Sequence, residues 1–267
     1  MSSFADDTRI GYGISTLEDV SKLQQDLQKI YGWADKNNMS FNDTKFELLR
    51  YGHNMHLKDS TNYLSNTGQT ILSNTGQTIQ SKPSTKDLGV TMSSTGEFKE
   101  HIANIVGTVR DLTAWILRSF KSRSSHVMLF LWKVIVIPRI DYCSQLWSPA
   151  KAYLINQLEE LQKQFIRRIN GFKDMNYNDA LKKLQLYSLQ RRRERYQIIY
   201  LWCILEEIYP NIQTDQNSCL IKLQSNIHSR RGRTLVTKML PNFRFGNLRY
   251  NSLPFVGARL FNVLPSH

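Results

Sequence analysis

The sequence has few of the residues that mark disulfide-bonded or zinc-stabilised proteins. Its 267 residues contain three widely spaced cysteines, with no Cys-x-x-Cys pair, and six histidines that share no ligand spacing. Neither a disulfide framework nor a zinc knuckle is therefore indicated, and we interpret the setting as reducing and intracellular. The cysteines are Cys143, Cys203 and Cys219.

Long apolar runs are also missing. The longest, from Val127 to Ile137, is interrupted by Lys133 and is shorter than the roughly 18 residues that span a bilayer. No charged segment followed by an apolar core opens the chain, so no secretory signal is visible. We therefore expect no membrane partner and interpret 127–137 as a buried helix. A glycine-rich phosphate loop and a Ser-His-Asp arrangement are absent as well.

Acidic residues are scarce in one part of the chain. The whole chain has 35 Lys and Arg against 22 Asp and Glu, a net charge of +13. Residues 1–100 hold 10 basic and 12 acidic residues (net −2), so residues 101–267 hold 25 and 10 (net +15). This split is typical of an acidic, cation-using site followed by a surface that binds phosphates. We expect the second part to bind a polyanion, with nucleic acid ahead of an acidic membrane surface.

The first hundred residues show strand and helix patterns in turn. Residues 8–15 alternate as in a short strand, and a helix follows with Ser15 and Glu18 as a capping box and with Asn37-Asn38 at its end. Segments 46–52 and 86–92 are apolar enough to be strands, which predicts a β-α-β-β order.

A tandem repeat lies between these last two strands. SNTGQTIL at 65–72 is followed by SNTGQTIQ at 73–80. Because eight is even, the copy preserves the alternation of strand faces, so the duplication can lengthen a hairpin. Two copies are too few for a solenoid, and we interpret the repeat as a duplication tolerated at a hairpin tip.

From Glu97 onward the pattern is helical. One apolar stripe runs from Phe98 to Phe120, Ser124 or Ser125 begins the next helix, and Pro138 ends or kinks it. Further helices are predicted over 152–169 and 189–209. The apolar stripe of the first of these consists of Leu154, Leu158, Leu161, Phe165 and Ile169. Residues 210–267 lose periodicity, which predicts loops with short strands.

The stretch Phe4-Ala5-Asp6-Asp7 carries a possible metal chemistry. A tight turn between two strands would hold both carboxylates at a hairpin tip, where they could bind Mg²⁺ together with nucleotide phosphates. Two-metal polymerases use such ions to activate a primer hydroxyl and stabilise the leaving pyrophosphate. Without context, a solvated Asp-Asp turn is the favoured interpretation, since short motifs often match by accident.

The order of several segments resembles the reverse transcriptases of non-long-terminal-repeat retrotransposons, the jockey-like, LINE-type class. The aspartate pair is followed by a helix containing LQQDL, then by MSFNDTKFELL and KDLGV. The resemblance continues through IPRIDYCSQLWSPAK, LEELQKQFIRRINGF and LYSLQRRRERYQIIYLWCILE to GARLFNVLPSH. It implies an α+β fold: a partial palm of short antiparallel strands and one helix at 1–96, a mainly α-helical thumb with a basic region at 97–209, and an irregular region at 210–267.

The resemblance also implies residue roles. Asp6 and Asp7 would be the catalytic pair that binds Mg²⁺, with Phe4 in place of the commoner tyrosine. Lys45 matches a lysine proposed to protonate the leaving pyrophosphate, and a surface lysine before a strand is an equal alternative. Lys86 to Val90 would form a hairpin that holds the primer end. The partners would be an RNA template and a DNA primer, with no small-molecule cofactor beyond nucleotides.

Three basic clusters are expected to contact a nucleic-acid backbone, since each neutralised phosphate adds a salt-dependent increment to affinity. A solvated helix face is the alternative. The clusters are Lys163, Arg167 and Arg168; Arg191, Arg192, Arg193 and Arg195; and Arg230, Arg231 and Arg233. For Trp115, Trp132, Trp147 and Trp202 we expect core packing rather than base stacking.

Parts of the family's palm are not among these residues. A third aspartate, a Gly-Gln-Ser-type motif and the fingers subdomain would precede residue 1, so the aspartate pair would share fewer ligands and hold Mg²⁺ weakly. We therefore expect a truncated RNA-directed DNA polymerase that does not polymerise DNA by itself. Two alternatives stay open: a basic helical nucleic-acid-binding module without catalysis, and a helical protein that dimerises through exposed apolar palm surface.

Overall fold

The chain divides into two compact units, and the boundary between them in the sequence is the position where the pattern becomes helical. The computed structural model describes residues 2–4, 7–42, 45–52, 63–65, 77–205, 208, 221–224, 234–237 and 250–264. The first unit, Met1–Gly96, is called unit 1, and the second, Glu97–His267, is called unit 2.

Unit 1 combines one long helix with short strands. Its described elements are β1 Ser2–Phe4, β2 Asp7–Arg9, α1 Leu17–Lys36, β3 Leu48–Leu49, β4 Leu64–Ser65, β5 Gln77–Thr78, β6 Ser81–Lys82, β7 Ser84–Asp87 and β8 Val90–Ser93. The strands pair only in twos: β1 with β2, β4 with β5 and β7 with β8 are antiparallel, whereas β3 and β6 are parallel.

The strands are shorter than the sequence pattern predicts. β2 ends at Arg9 rather than Ser15, because Ser2 and Arg9 form the last pair of its ladder with β1. Only Leu48–Leu49 of segment 46–52 is a strand, and it pairs in parallel rather than antiparallel. Parallel pairing is possible there because the connection from β3 to β6 is much longer than a tight turn.

Segment 86–92 is a hairpin instead of one strand. Asp87 pairs with Val90, so Leu88 and Gly89 form a two-residue turn in which both backbone φ angles are positive, +43° and +86°. This is the geometry of a type I′ turn, which matches the right-handed twist of the two strands it joins. The prediction of a single strand is wrong, and the hairpin implied by the resemblance is present.

The long helix α1 begins one residue later than predicted. The side-chain oxygen of Thr16, not of Ser15, accepts a hydrogen bond from the backbone N–H of Asp19, and Asp19 accepts from the backbone N–H of Thr16. This reciprocal pair is a capping box. The helix ends before Asn37, as predicted.

The described core of unit 1 is small. Its buried side chains are Leu27, Tyr31 and Ala34 on one face of α1, together with Tyr63 and Val90. The ring of Tyr31 is 5.4 Å from Phe41 and 5.7 Å from Phe46, measured between centroids. The strands β4 and β5 pair antiparallel, as a hairpin requires. Ser65 of β4 is the first residue of the first copy of the tandem repeat, and Gln77–Thr78 of β5 lie within the second copy. Residues 66–76 lie outside the described residues.

Unit 2 is mainly helical. Its described elements are α2 Lys99–Ser119, α3 Ser125–Leu131, a π-helical segment Trp132–Val136, α4 Ile137–Asp141, α5 Ser144–Trp147, α6 Ala152–Ile166, α7 Tyr177–Lys183, α8 Leu189–Leu205, β9 Ile221–Gln224, β10 Thr234–Thr237 and α9 Leu253–Val263. β9 and β10 pair antiparallel.

A π-helical turn precedes Pro138. A proline ring in an α-helix would clash with the carbonyl four residues earlier, which here belongs to Val134. The wider turn at Trp132–Val136, called the π segment below, ends where α4 begins, with Pro138 in its first turn. Pro138 therefore does not end the helical path, and π turns of this kind are frequent at functional sites.

One contiguous apolar core extends from α2 to the start of α8. The predicted stripe of α6 is buried throughout, and the indole of Trp132 packs against the ring of Phe165 with centroids 4.7 Å apart. The region after residue 210 contains the helix α9, which the sequence analysis missed. Its Gly257 lies so close to Leu201 of α8 that an added Cβ would stand 3.1 Å from the leucine side chain.

Candidate nucleic-acid interface

Asp7, the second residue of the aspartate pair, begins the second strand of the antiparallel β1–β2 hairpin, which is called the aspartate hairpin below. Phe4, the last residue of β1, pairs with Asp7, the first residue of β2. The side chains of Phe4 and Asp7 are exposed, and Asp6 lies outside the described residues. An ion pair between Arg9 and Asp87 links β2 to the β7–β8 hairpin. The exposed carboxylate of Asp7 is the type of oxygen ligand that Mg²⁺ prefers.

Lys45 is exposed and lies just before β3. Its backbone N–H donates to the carbonyl of Asn42 at 3.0 Å. Two residues later, the carboxylate of Glu47 accepts from Lys82 and from Thr85. These bonds hold the pKa of Glu47 below its ordinary value and fix this segment against β6 and β7. Among the described residues, no group of three or more His, Cys, Asp or Glu side chains is placed to hold a metal ion.

The arginine run of α8 splits into two exposed and two internal residues. Arg191 and Arg195 are exposed, whereas Arg193 is only 1% exposed and Arg192 is partly buried. The expectation that Arg193 contacts phosphates is wrong, because successive residues of an α-helix point about 100° apart and one face of α8 packs against other helices.

Carboxylates from two other helices face the internal arginines. Arg192 donates to Asp141 Oδ2 at 2.5 Å, and Tyr196 Oη lies 3.2 Å from the same oxygen. Burial lowers the pKa of Arg193, and the nearby charges of Glu159 and Asp141 oppose that shift. Arg192 is thus an ion-pair partner within the fold rather than a free phosphate ligand.

Glu159 joins three segments of unit 2. Its two oxygens accept from the hydroxyl of Tyr177 at 2.7 Å and from the backbone N–H of Gln190 at 2.6 Å. The second bond satisfies an otherwise unpaired donor in the first turn of α8. The hydrogen bond to Glu159, together with burial as the larger cause, raises the pKa of Tyr177. This network sets which face of α8 is exposed.

Two predicted basic residues lie together beside a cleft. Lys163 and Arg167, one helical turn apart at the end of α6, line a polar cleft of about 230 Å³ with Phe172, Asn176 and Tyr177. We call it the basic cleft. Lys183, which the sequence analysis did not single out, has its ammonium 5.3 Å from the centroid of the Phe172 ring. The adjacent lysines Lys182-Lys183 are the sequence feature that could have indicated this position.

A second exposed stripe runs along α8. Arg191 and Arg195 are followed on the same face, at steps of four and three residues, by Ile199 and Trp202, which are about half exposed. The ring of Trp202 stacks on Phe261 of α9 with 6.3 Å between centroids. Trp115 is also about half exposed. The prediction of core packing is therefore confirmed for Trp132 and Trp147 and wrong for Trp115 and Trp202.

The remaining predicted basic residues fall into two groups. Arg168 is exposed at the end of α6, one residue beyond Arg167. Arg230, Arg231 and Arg233 lie outside the described residues. In the part of the chain that the structure describes, no helix is both long and apolar enough to cross a bilayer.

Comparisons with known proteins give a distant similarity to a polymerase of a mobile element. No protein-family model matches the chain, and no solved structure matches it. The chain is 26% identical over 175 residues to an RNA-directed DNA polymerase from the mobile element jockey of Drosophila melanogaster, a match that covers 64% of this chain. The match spans 18% of that polymerase's own length. This similarity supports a relationship of the chain to the reverse transcriptases of LINE-type mobile elements.

Proposed function

We propose that this chain is the part of a LINE-type reverse transcriptase that carries the aspartate hairpin and the thumb-like helices, and that unit 2 binds the backbone of the nucleic-acid substrate. The observation that carries the proposal is the basic cleft, where Lys163 and Arg167 share one face with Lys183 nearby. The similarity to the jockey polymerase supports nucleic acid as the polyanion.

The exposed basic residues suit a phosphate backbone. Lys163 and Arg167 lie one turn apart on α6, and Arg191 and Arg195 lie one turn apart on α8. Lys163 is 3.7 Å from Glu160, a loose surface pair that costs little to break. Each phosphate neutralised by such a residue releases counterions, so binding should weaken as salt rises.

The aspartate hairpin is the proposed catalytic contribution of unit 1. Asp6 and Asp7 would hold Mg²⁺, which supplies charge neutralisation to phosphoryl transfer when it is bound. Lys45 is proposed to protonate the leaving pyrophosphate, and Leu88 and Gly89 are proposed to present the primer end. The third aspartate and the Gly-Gln-Ser-type motif of the family's palm are not present among the 267 residues. We therefore expect this chain alone to bind substrate without extending a primer.

Salt-dependent binding tests the interface. Single-stranded and duplex oligonucleotides are titrated with the full chain at several salt concentrations, and the same titration is made with Lys163→Gln, Arg167→Gln and Arg195→Gln. Each substitution should weaken binding and reduce the salt slope by about 1, since each removes one phosphate contact. The matched control is Arg110→Gln, which removes an exposed arginine of α2 outside the basic cleft and the α8 stripe.

An affinity of the unaltered chain for oligonucleotides that does not change with salt concentration would contradict the proposed interface. Equal losses from the Arg110→Gln control and the cleft variants would instead show that only net charge matters. Primer extension on an RNA template with Mg²⁺, using Asp7→Asn as the inactive control, tests the second claim. Extension by the unaltered chain that disappears in Asp7→Asn would show that these residues suffice for polymerisation.

A further inference from the structure

We propose that Trp202, at the end of the exposed stripe of α8, is a stacking platform for an unpaired base of single-stranded nucleic acid. The inference rests on the proposed function, because it takes nucleic acid as the ligand, and it adds the group of the ligand that is recognised beyond the phosphates. The stripe consists of Arg191, Arg195, Ile199 and Trp202. It therefore combines two cations with an aromatic ring on one helix.

The ring of Trp202 is accessible to a ligand, which is the first requirement for stacking on a base. Its side chain is 44% exposed, whereas Trp132 and Trp147 are buried in the continuous apolar core. Tryptophan is highly buried on average, so a half-exposed indole beside arginines is unusual for a side chain that only fills space. Stacking uses the face of the ring and needs no buried hydrogen-bonding atom.

The indole of Trp202 is held in place although it is not covered. It stacks on the ring of Phe261 in α9, with 6.3 Å between centroids and 17° between the ring planes. Phe261 in turn packs against an apolar cluster of Leu201 in α8 and Ala258 in α9, both of which are buried. Since the ring is already ordered, a base that stacks on its exposed surface immobilises little that was free.

The charge of the stripe favours a nucleic-acid strand over an apolar partner. Arg191 and Arg195 are exposed, and within the described ranges neither guanidinium forms an ion pair. Glu194, the one acidic residue between them in sequence, accepts from Gln190 at 2.9 Å. An apolar surface that covered Trp202 would have to desolvate the nearby cations, whereas phosphates would neutralise them.

The spacing of the stripe suits a strand that runs along α8. With a rise of about 1.5 Å per residue, Arg191 and Arg195 lie about 6 Å apart along the helix axis, and Trp202 lies about 10 Å beyond Arg195. At about 100° per residue, the three residues fall within about 40° of one another around the axis. A groove or face that offers cations to the backbone and a ring to the bases is typical of proteins that bind single strands.

The test compares strands of equal charge that do and do not carry bases. The full chain is titrated with a single-stranded oligothymidylate and with an abasic strand of the same length. Trp202→Leu removes the ring and keeps an apolar side chain, whereas Trp202→Phe keeps a smaller ring. Trp115→Leu is the matched control, because Trp115 is also about half exposed but lies on α2, one turn after the exposed Asp111.

We expect the oligothymidylate to bind about tenfold more tightly than the abasic strand, a difference typical of one stacked base. Trp202→Leu should abolish this difference, Trp202→Phe should keep part of it, and Trp115→Leu should leave it unchanged. Arg195→Gln should weaken the binding of both strands equally, because it removes a phosphate contact and not a stacking surface. Thermal unfolding followed by circular dichroism confirms that the variants are folded.

The outcomes separate this inference from the proposed function. Equal affinity of the unaltered chain for the two strands, or a base preference that survives Trp202→Leu, would overturn the stacking platform and leave the basic interface standing. A dimer in sedimentation that Trp202→Leu converts to a monomer, without any base preference, would show that the stripe joins two copies of the chain and would also overturn the platform. Failure to bind either strand would overturn the proposed interface and this inference with it.

Discussion

Units 1 and 2 bury their apolar side chains in different ways. Unit 1 has two-stranded pairs, ladders of two to four residues and a core built around one helix. Unit 2 buries one continuous cluster of side chains contributed by α2, α3, the π segment and α4 to α8. The residues proposed for catalysis therefore lie on the unit with the smaller described core, whereas the basic cleft lies on a continuously packed scaffold.

Truncating one buried leucine in each unit should give the largest contrast. Leu158, fully buried in α6, contacts the continuous core, and we expect Leu158→Ala to lower the free energy of unfolding of unit 2 by about 3–5 kcal/mol. Leu27→Ala in α1 should cost about 2 kcal/mol, because the smaller core of unit 1 can relax around the gap. Hydrogen exchange resolved by peptide measures each unit separately. Equal losses of unfolding free energy in the two units would show that their cores do not differ in this way.

The capping of α1 provides a sharper probe of unit 1. Thr16→Ala removes the side-chain acceptor for the Asp19 N–H and should cost about 1 kcal/mol. Ser15→Ala is the matched control, since Ser15 contributes only its backbone N–H to Asp19 and should cost almost nothing. The helix content of both variants is followed during thermal unfolding. A larger loss of stability from Ser15→Ala than from Thr16→Ala would show that Ser15 is the N-cap of α1.

A substitution in the turn of the β7–β8 hairpin should stabilise unit 1, in contrast to the two destabilising substitutions above. Leu88 has φ +43°, a conformation that costs a leucine about 1 kcal/mol and that asparagine adopts more readily. Leu88→Asn should therefore stabilise unit 1 by up to about 1 kcal/mol, as judged by denaturant unfolding. The proposed primer contact predicts, in addition, weaker binding of a primer–template duplex, since Leu88 is exposed at the turn.

The pH dependence of unit 1 should be small and of known sign. The pKa of Glu47 is lowered in the folded state by its bonds to Lys82 and Thr85, so the carboxylate stabilises the fold above its unfolded pKa of about 4.5. That contribution is lost as the pH falls through the lower folded pKa. Glu47→Gln should flatten the acid limb of the stability curve for unit 1. An unchanged acid limb would show that these bonds contribute nothing.

Periodicity predicted long elements better than short ones. The stripe of α6, the end of α1 at Asn37 and the start of α3 after Ser124 were predictable because each rests on local chemistry. The short strands were overestimated, since a strand extends only as far as its partner, and the partner is distant in sequence. The helix α9 was missed because Pro254 and Gly257 interrupt its pattern, although Gly257 allows its close approach to Leu201.

The sequence by itself determined the charge split, the order of the motifs that resemble LINE-type reverse transcriptases, and the helical character of unit 2. Only the tertiary structure decided which arginines of the run at 191–195 face solvent, because that choice depends on where Asp141 and Glu159 lie against α8.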